Sequence, residues 1–294
     1  MEISHLQAFI HIAESGSFSA AAIDLNLTQP AVSKRIATLE DQFDVRLFDR
    51  AGRTVRLTEP GRLLLPKARE ILSTLELSKQ LIENLGDQVS GNLSIAVTHH
   101  IGLHRLPKIL KGFRQQYDNV ALQLEFMDSA QACSQVESGA TEMAVITLPE
   151  KPKANLLTTS LWQDHLVFAA SADHPLANNP NASMSKLAEY DAILPDNDTY
   201  TRKLIDKFLR KNKCEPQVVM ETNYLETLRM MSKIGIGWTV LPENMLNKKE
   251  MHVFDFVQSD IQRPLGIVRH KSRSLSNAAK AMCEALNASG RITH

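Results

Sequence analysis

Apolar residues in the first third of this 294-residue chain recur at helical spacing. Leu6, Phe9, Ile10 and Ile12 form a stripe that predicts a helix ending near Gly16. Ser17 or Ser19 can cap a second helix through AAAIDL, with Asn26 as its stop signal. Thr28 then caps a third, whose first turn holds Pro30, where a missing N–H costs little. Val32, Ile36, Leu39 and Phe43 are its expected buried face. The stretch VRLFDRAGRTVRLTEPG alternates, carries β-branched residues and turns at Ala51-Gly52, which predicts a short hairpin.

From Pro60 the period changes. Leu64, Ala68, Ile71, Leu75, Ser78, Ile82 and Leu85 follow one another at alternating steps of four and three, a heptad seam. Leu65, Leu72 and Leu81 flank it, more apolar surface than one partner explains. The expectation is a long helix that pairs with its copy in a second subunit; the alternative is packing wholly on its own domain. Gly86, Ser90, Gly91 and Asn92 read as a linker. Beyond it, short apolar runs alternate with helical segments. LSIAV precedes a helix over 101–117, residues 120–126 alternate, 130–137 is helical and MAVIT is another run. Runs at 166–171, 191–195, 218–222, 237–242 and 264–270 continue the pattern, and a last helix spans about 275–286. Such alternation implies a largely parallel sheet covered on both faces.

Composition narrows the class. Hydrophobic residues make up 43% and charged residues 22%, which fits a folded globular protein. No run of 18 apolar residues exists and the N-terminus lacks a secretory pattern, so the expected setting is the cytoplasm, with no membrane partner. Cys133, Cys214 and Cys283 are far apart, which argues against disulfide scaffolds and thiolate zinc sites. Net charge is zero, so a nucleic-acid partner would need a local patch.

Such a patch exists. Two helices joined by a short turn, the second capped, form the plan of a helix-turn-helix, whose second helix enters the major groove. Opposite the buried face of that helix lie Gln29, Ser33 and Lys34, which can bond base edges or phosphates. Between Val45 and Arg62 five arginines face two acids, although residues 1–88 carry 10 basic against 12 acidic side chains. The turn residue Arg53 suits a minor groove, and Arg50 and Arg56 suit phosphates.

The segment FSAAAIDLNLTQPAVSKRIATLEDQFDVRLFDRAGRTVRLTEPGRLLLP closely resembles the winged helix-turn-helix of LysR-type transcriptional regulators, as does the preceding LQAFIHIAES. The resemblance covers the first 60 to 90 residues with high specificity, and the remainder agrees in plan. It implies a mixed α+β and α/β chain: a winged helix-turn-helix over 1–58, a long dimerising linker helix over 59–90, and an effector domain over 91–294 resembling periplasmic binding proteins. Its first subdomain would take about 91–162 and 267–294, its second about 163–266. The resemblance places Gln29, Pro30, Ser33 and Lys34 at the major groove, Ser17 and Thr28 near phosphates, and Arg53 at the minor groove. It implies tetramers that bind interrupted inverted repeats in double-stranded DNA, change its bend with a small molecule and engage RNA polymerase. Members often carry Arg where this chain has Lys34, and the lysine ammonium is a point charge without the fork that reads guanine in a bidentate manner.

Doubly wound sheets bind ligands where strands end. The expected effector residues are therefore Thr98, His99 and His100 after the first strand of the second region, Asp128 and Ser129 after the next, and Thr147 after the third. Asn197, Thr199, Tyr200 and Thr222 occupy matching places in the other half. A helix start beside two imidazoles suits an anion such as a carboxylate; helix capping is the plainer reading. His100 and His104 stand four apart, as zinc ligands do, but lack a nearby carboxylate or Cys in the sequence, so no metal and no cofactor is expected. Tyr200 and Trp162 can pack on an effector or belong to the core. Gly235-Ile-Gly237 lacks the third glycine of a nucleotide fingerprint and reads as a tight turn.

Two other functions compete. An enzyme would need a nucleophile–base pair or a metal cluster; Cys133 with some histidine is the remaining combination, and no catalytic residue is assigned. A purely architectural DNA-binding protein would have no use for two hundred residues of α/β structure.

Overall fold

The computed structural model describes residues 2–51, 54–83, 88–177, 179, 182–247 and 249–290. They form two compact units, the first made of residues up to 87 with 138–140 and the second of the rest.

The first unit opens with α1 (Ile3–Ser15), closed by Gly16 in the left-handed conformation at φ 64°. Ser17 caps α2 (Phe18–Asp24) by accepting the Ala20 N–H, and Asn26 turns the chain at positive φ. Thr28 caps α3 (Gln29–Phe43) by accepting the Ala31 N–H. Val32, Ile36 and Leu39 are fully buried against α1 and α2, each contributing about 1.5–3 kcal/mol. Phe43 departs from the predicted face: it is 46% exposed, because the helix ends there and Asp44 turns away at positive φ. The hairpin is β1 (Phe48–Ala51) and β2 (Thr54–Leu57), with the Phe48 ring tilted against Phe9 and edge-on to Phe18.

Glu40 fastens this wing to α3, its Oε1 accepting the N–H groups of Leu47 and Phe48 at 2.7 and 3.3 Å. Thr58 then starts α4 (Glu59–Glu83), donating to the Arg46 carbonyl and accepting the Gly61 N–H. A Cβ on Gly61 would lie 2.3 Å from the Leu47 carbonyl oxygen, so LTEPG needs that glycine for close approach. Helix α4 runs on through Pro66. Ala68 is buried, and Leu64, Leu65 and Leu72 pack on the first unit's core, whereas Ile71 and Ile82 are 40% and 67% exposed. The helix therefore does not pack wholly on its own unit: one face of its first half is committed to that core, and apolar seam positions at Ile71 and Ile82 stay uncovered. Leu85, Gly86 and the side chain of Leu81 lie outside the described residues.

The second unit begins with β3 (Gly91–Val97), so Gly91 and Asn92 are strand rather than linker. The helix expected over 101–117 is two, α5 (His99–His104) and α6 (Leu106–Gln116). Pro107 has no N–H for the continuing ladder, and the chain breaks at Arg105. Then come β4 (Val120–Phe126), α7 (Ser129–Ser138), β5 (Met143–Thr147), the 16-residue β6 (Leu156–Ser171), α8 (Met184–Leu187), β7 (Ala192–Leu194), α9 (Tyr200–Lys211), β8 (Val218–Glu221), α10 (Leu225–Lys233), β9 (Thr239–Pro242), β10 (Met251–Val253), β11 (Gln262–His270) and α11 (Asn277–Gly290).

The strands build two lobes joined by β6 and β11. In the first lobe, β3 pairs in parallel with β4 and β5, while β11 runs antiparallel to β5 and β6. In the second, β9 and β10 flank the far half of β6 antiparallel, and β7 pairs in parallel with β8. The sheet is thus mixed, not largely parallel, because the two strands that tie the lobes run against their neighbours. Separate apolar clusters cover both faces in each lobe.

Candidate functional site

On the first unit, the opening turns of α3 present Gln29, Pro30 and Lys34 to solvent, with Ser33 half-buried and accepting from Gln29 Nε2 at 3.0 Å. The hydroxyls of Ser17 and Thr28 are engaged as helix caps. Arg56 is exposed on β2 across from Asp49. Arg53 and the side chain of Arg50 lie outside the described residues. Arg62 donates to the Leu57 carbonyl at 2.8 Å, so one of the five wing-region arginines closes the turn into α4.

On the second unit, a cleft of about 410 Å³ opens between the lobes where the strands end. Thr98, His99, His100, Asp128, Ser129, Thr147, Thr199, Tyr200 and Thr222 all line it. Asn197 is not among the lining residues; its neighbours Asp196 and Asp198 are. The first residues of α5, α7, α9 and α10 all contribute, so four helix starts converge there. Two of its four acids are engaged. Asp128 caps α7 by accepting the Gln131 N–H, and Glu221 pairs with Arg202. Asp196, partly desolvated and facing Asp198 and Glu221, has its carboxyl pushed above the usual range.

Sequence reasoning missed Phe126, Tyr224, Asp164, Arg263 and Glu226. His99 lies between Phe126 and Tyr224, with ring centroids 5.1 and 4.7 Å away. Gly102 lets α5 press on Phe126, whose ring a Cβ would meet at 2.3 Å. Asp164, fully buried on β6, accepts from Arg105 Nη2 at 2.7 Å and Arg263 Nη2 at 2.5 Å. Burial alone would raise this carboxyl, but His100 and the two guanidinium groups hold it well below the usual range. His100 Nε2 stands 3.5 Å from Asp164, an electrostatic approach; among the described residues neither of its ring nitrogens has a hydrogen-bond partner. Its Nδ1 faces Glu226 Oε1 at 3.6 Å, and His104 Nε2 meets that same oxygen at 2.8 Å. The His100 ring and then His104 hold the Glu226 carboxyl down, to about 2, against its partial burial. A Glu following a tyrosine cap carries no local signal for this role: its partners are 122 residues or more away along the chain.

Trp162 is core, not lining, and stacks under Arg105. Cys133 is buried with its thiol pushed up by desolvation, and the Tyr200 hydroxyl reaches its sulfur at 3.9 Å, so this pair offers no activated nucleophile. Burial, then Cys133, push the Tyr200 hydroxyl up to about 12. Gly235 closes α10 at φ 87°, and Gly237 backs onto the Asp191 carbonyl, where a Cβ would sit 2.5 Å away: a turn, not a phosphate cradle.

The family model of the bacterial regulatory helix-turn-helix protein, lysR family, matches residues 3–62, and that of the LysR substrate binding domain matches residues 86–291. A probable RuBisCO transcriptional regulator of Synechocystis is 30% identical over 95% of this chain and 84% of its own. An HTH-type transcriptional regulator of Azotobacter vinelandii is 63% identical over 36% of this chain and 74% of its own. Among solved structures, a full-length OxyR point variant of Pseudomonas aeruginosa superposes with a TM-score of 0.71 at 22% identity, covering 99% of this chain and 95% of that one. CbnR bound to its target DNA gives 0.69 at 19% identity, over 98% and 100%. The effector binding domain of QuiR with shikimate gives 0.62 at 16% identity, over 69% and 99%.

Proposed function

The chain belongs to the LysR family of DNA-binding transcriptional regulators, and from that premise we propose that it is switched by a small metabolite acid held in the cleft of its second unit. The observation that carries this reading is the convergence of four helix starts on one cleft. Unpaired N–H groups at helix starts favour a carboxylate or another oxyanion. The buried Arg263 Nε without a hydrogen-bond partner among the described residues adds to the demand for an acceptor. Asp196 and Asp198 on the opposite wall suit a donor on the same molecule, so the effector class is a small hydroxy or amino acid. Thr98, His99, His100, Ser129, Thr147, Thr199, Tyr200 and Thr222 surround it.

The DNA contacts follow from the first unit. Gln29, Pro30, Ser33 and Lys34 meet the major groove. Ser17, Thr28, Arg50 and Arg56 lie by phosphates, and Arg53 enters the minor groove. Dimers form along the exposed seam of α4 and associate into tetramers on an inverted repeat in the cytoplasm. As in its relatives, the chemistry is recognition rather than turnover.

Footprinting on the chain's own upstream DNA, with and without a panel of hydroxy and amino acids, tests the reading. An inverted repeat whose protection shifts with one compound is the expected result. Protection indifferent to every acid would overturn the effector class and leave the DNA-reading unit standing.

A further inference from the structure

We infer that His100, His104 and Glu226 form a binding site for a divalent transition-metal ion of the zinc class. One ligand atom from each lies within 4.8 Å of the others. The two histidines stand four apart on α5, and α10 supplies the carboxylate from the other lobe. Tetrahedral zinc at about 2.0–2.1 Å from N and O donors sets those donors about 3.4 Å apart. The observed separations of 2.8 Å for His104–Glu226 and 3.6 Å for His100–Glu226 straddle that value.

His100 carries the case beyond proximity. The residue is 6% exposed, yet both ring nitrogens lack a hydrogen-bond partner among the described residues, a costly arrangement for a buried imidazole. Its Nδ1 faces the Glu226 oxygen while its Nε2 faces the Asp164 carboxylate. A carboxylate beside the far nitrogen is the outer-shell setting of metal-binding histidines, and the ion would draw that nitrogen's N–H onto Asp164 and fix the tautomer. Asp164 is itself held by Arg105 and Arg263. Two imidazoles and a carboxylate leave a fourth position for water or for an acid in the cleft, which His100 also lines.

The ion joins α5 of one lobe to α10 of the other. It therefore ties the lobes beside the cleft, and this holds whatever the effector is.

The full chain, stripped with a chelator and titrated with Zn²⁺ alone and then Co²⁺ alone, tests the site. The expected result is one tightly held ion per chain, with Co²⁺ giving the visible absorption of a low-coordinate nitrogen and oxygen site. His104→Ala and Glu226→Gln each weaken binding by at least about tenfold, since each removes or neutralises a direct ligand. His11→Ala, on α1, retains it. His104 is partly exposed, so its variant is checked for native near-ultraviolet circular dichroism before titration. Asp164→Asn, read only if that check is passed, costs about 10–100-fold through the outer shell. Absence of a stoichiometric ion, or an ion held unchanged by both His104→Ala and Glu226→Gln, overturns the site. Footprinting of the stripped protein reports separately on the regulator reading, because the DNA-reading residues lie on the first unit.

Discussion

Glu40 is a single carboxylate that accepts two backbone N–H groups from the start of the wing. Glu40→Ala leaves Leu47 and Phe48 amides unsatisfied, and urea denaturation is expected to show a loss of about 1–3 kcal/mol. Lys34→Ala keeps the fold and reduces the slope of log binding constant against log salt by about 1, measured by titrating operator DNA at several salt concentrations; an unchanged slope would remove Lys34 from the phosphate or base contacts. Glu142 titrates in the opposite sense to a paired carboxylate. Burial raises it above 4.5 in the folded chain, against hydrogen bonds from Ser276. The folded state then holds the proton more tightly than the unfolded one, so Glu142 favours folding below the ordinary value and loses that contribution as pH rises through the raised one. Thermal melts across that window are expected to fall in wild type and to flatten in Glu142→Gln. Helix caps such as Thr28 and Ser17 were legible because their signal is local. The pairing of His104 with Glu226 was not, since nothing near either residue announces the other.

Helix α4 is covered by its own unit at some apolar positions and bare at others. Ala68 and Leu72 face the first unit's core, while Ile71 and Ile82 stay exposed on the same heptad pattern. Ala68→Glu is expected to unfold the first unit. Ile82→Glu is expected to leave circular dichroism native and yield smaller species in sedimentation at micromolar concentration; intact assemblies would move the dimer contact elsewhere. The heptad was readable, but its division into covered and uncovered positions was not, because spacing records which positions are apolar and not what covers them. The α5–α6 break had a local sign in Pro107 that the apolar periodicity over 101–117 masked. Strand β10 is three residues long and pairs with the end of β6, so no period marks it.

At the scale of the whole molecule, alternating strands and helices made the α/β texture legible and the family resemblance supplied the two lobes, but strand direction was not legible. A short apolar run looks alike in a parallel and an antiparallel neighbourhood. The mixed sheet arises because the crossings, β6 and β11, run antiparallel. Thr98→Val tests whether the cleft speaks to the DNA: protection of the operator should persist while its response to the acid effector fades, as read by footprinting. Loss of circular dichroism instead would make Thr98 a structural cap. The paired crossings also have a consequence for how such a domain can be rebuilt. The whole second lobe is one uninterrupted stretch of chain, and where it leaves and returns, the Leu166 N–H donates to the Ile261 carbonyl at 3.0 Å. Its two ends are already stitched together, so it is a cassette: two cuts exchange it for that of a relative, carrying a new half-cleft into an untouched frame.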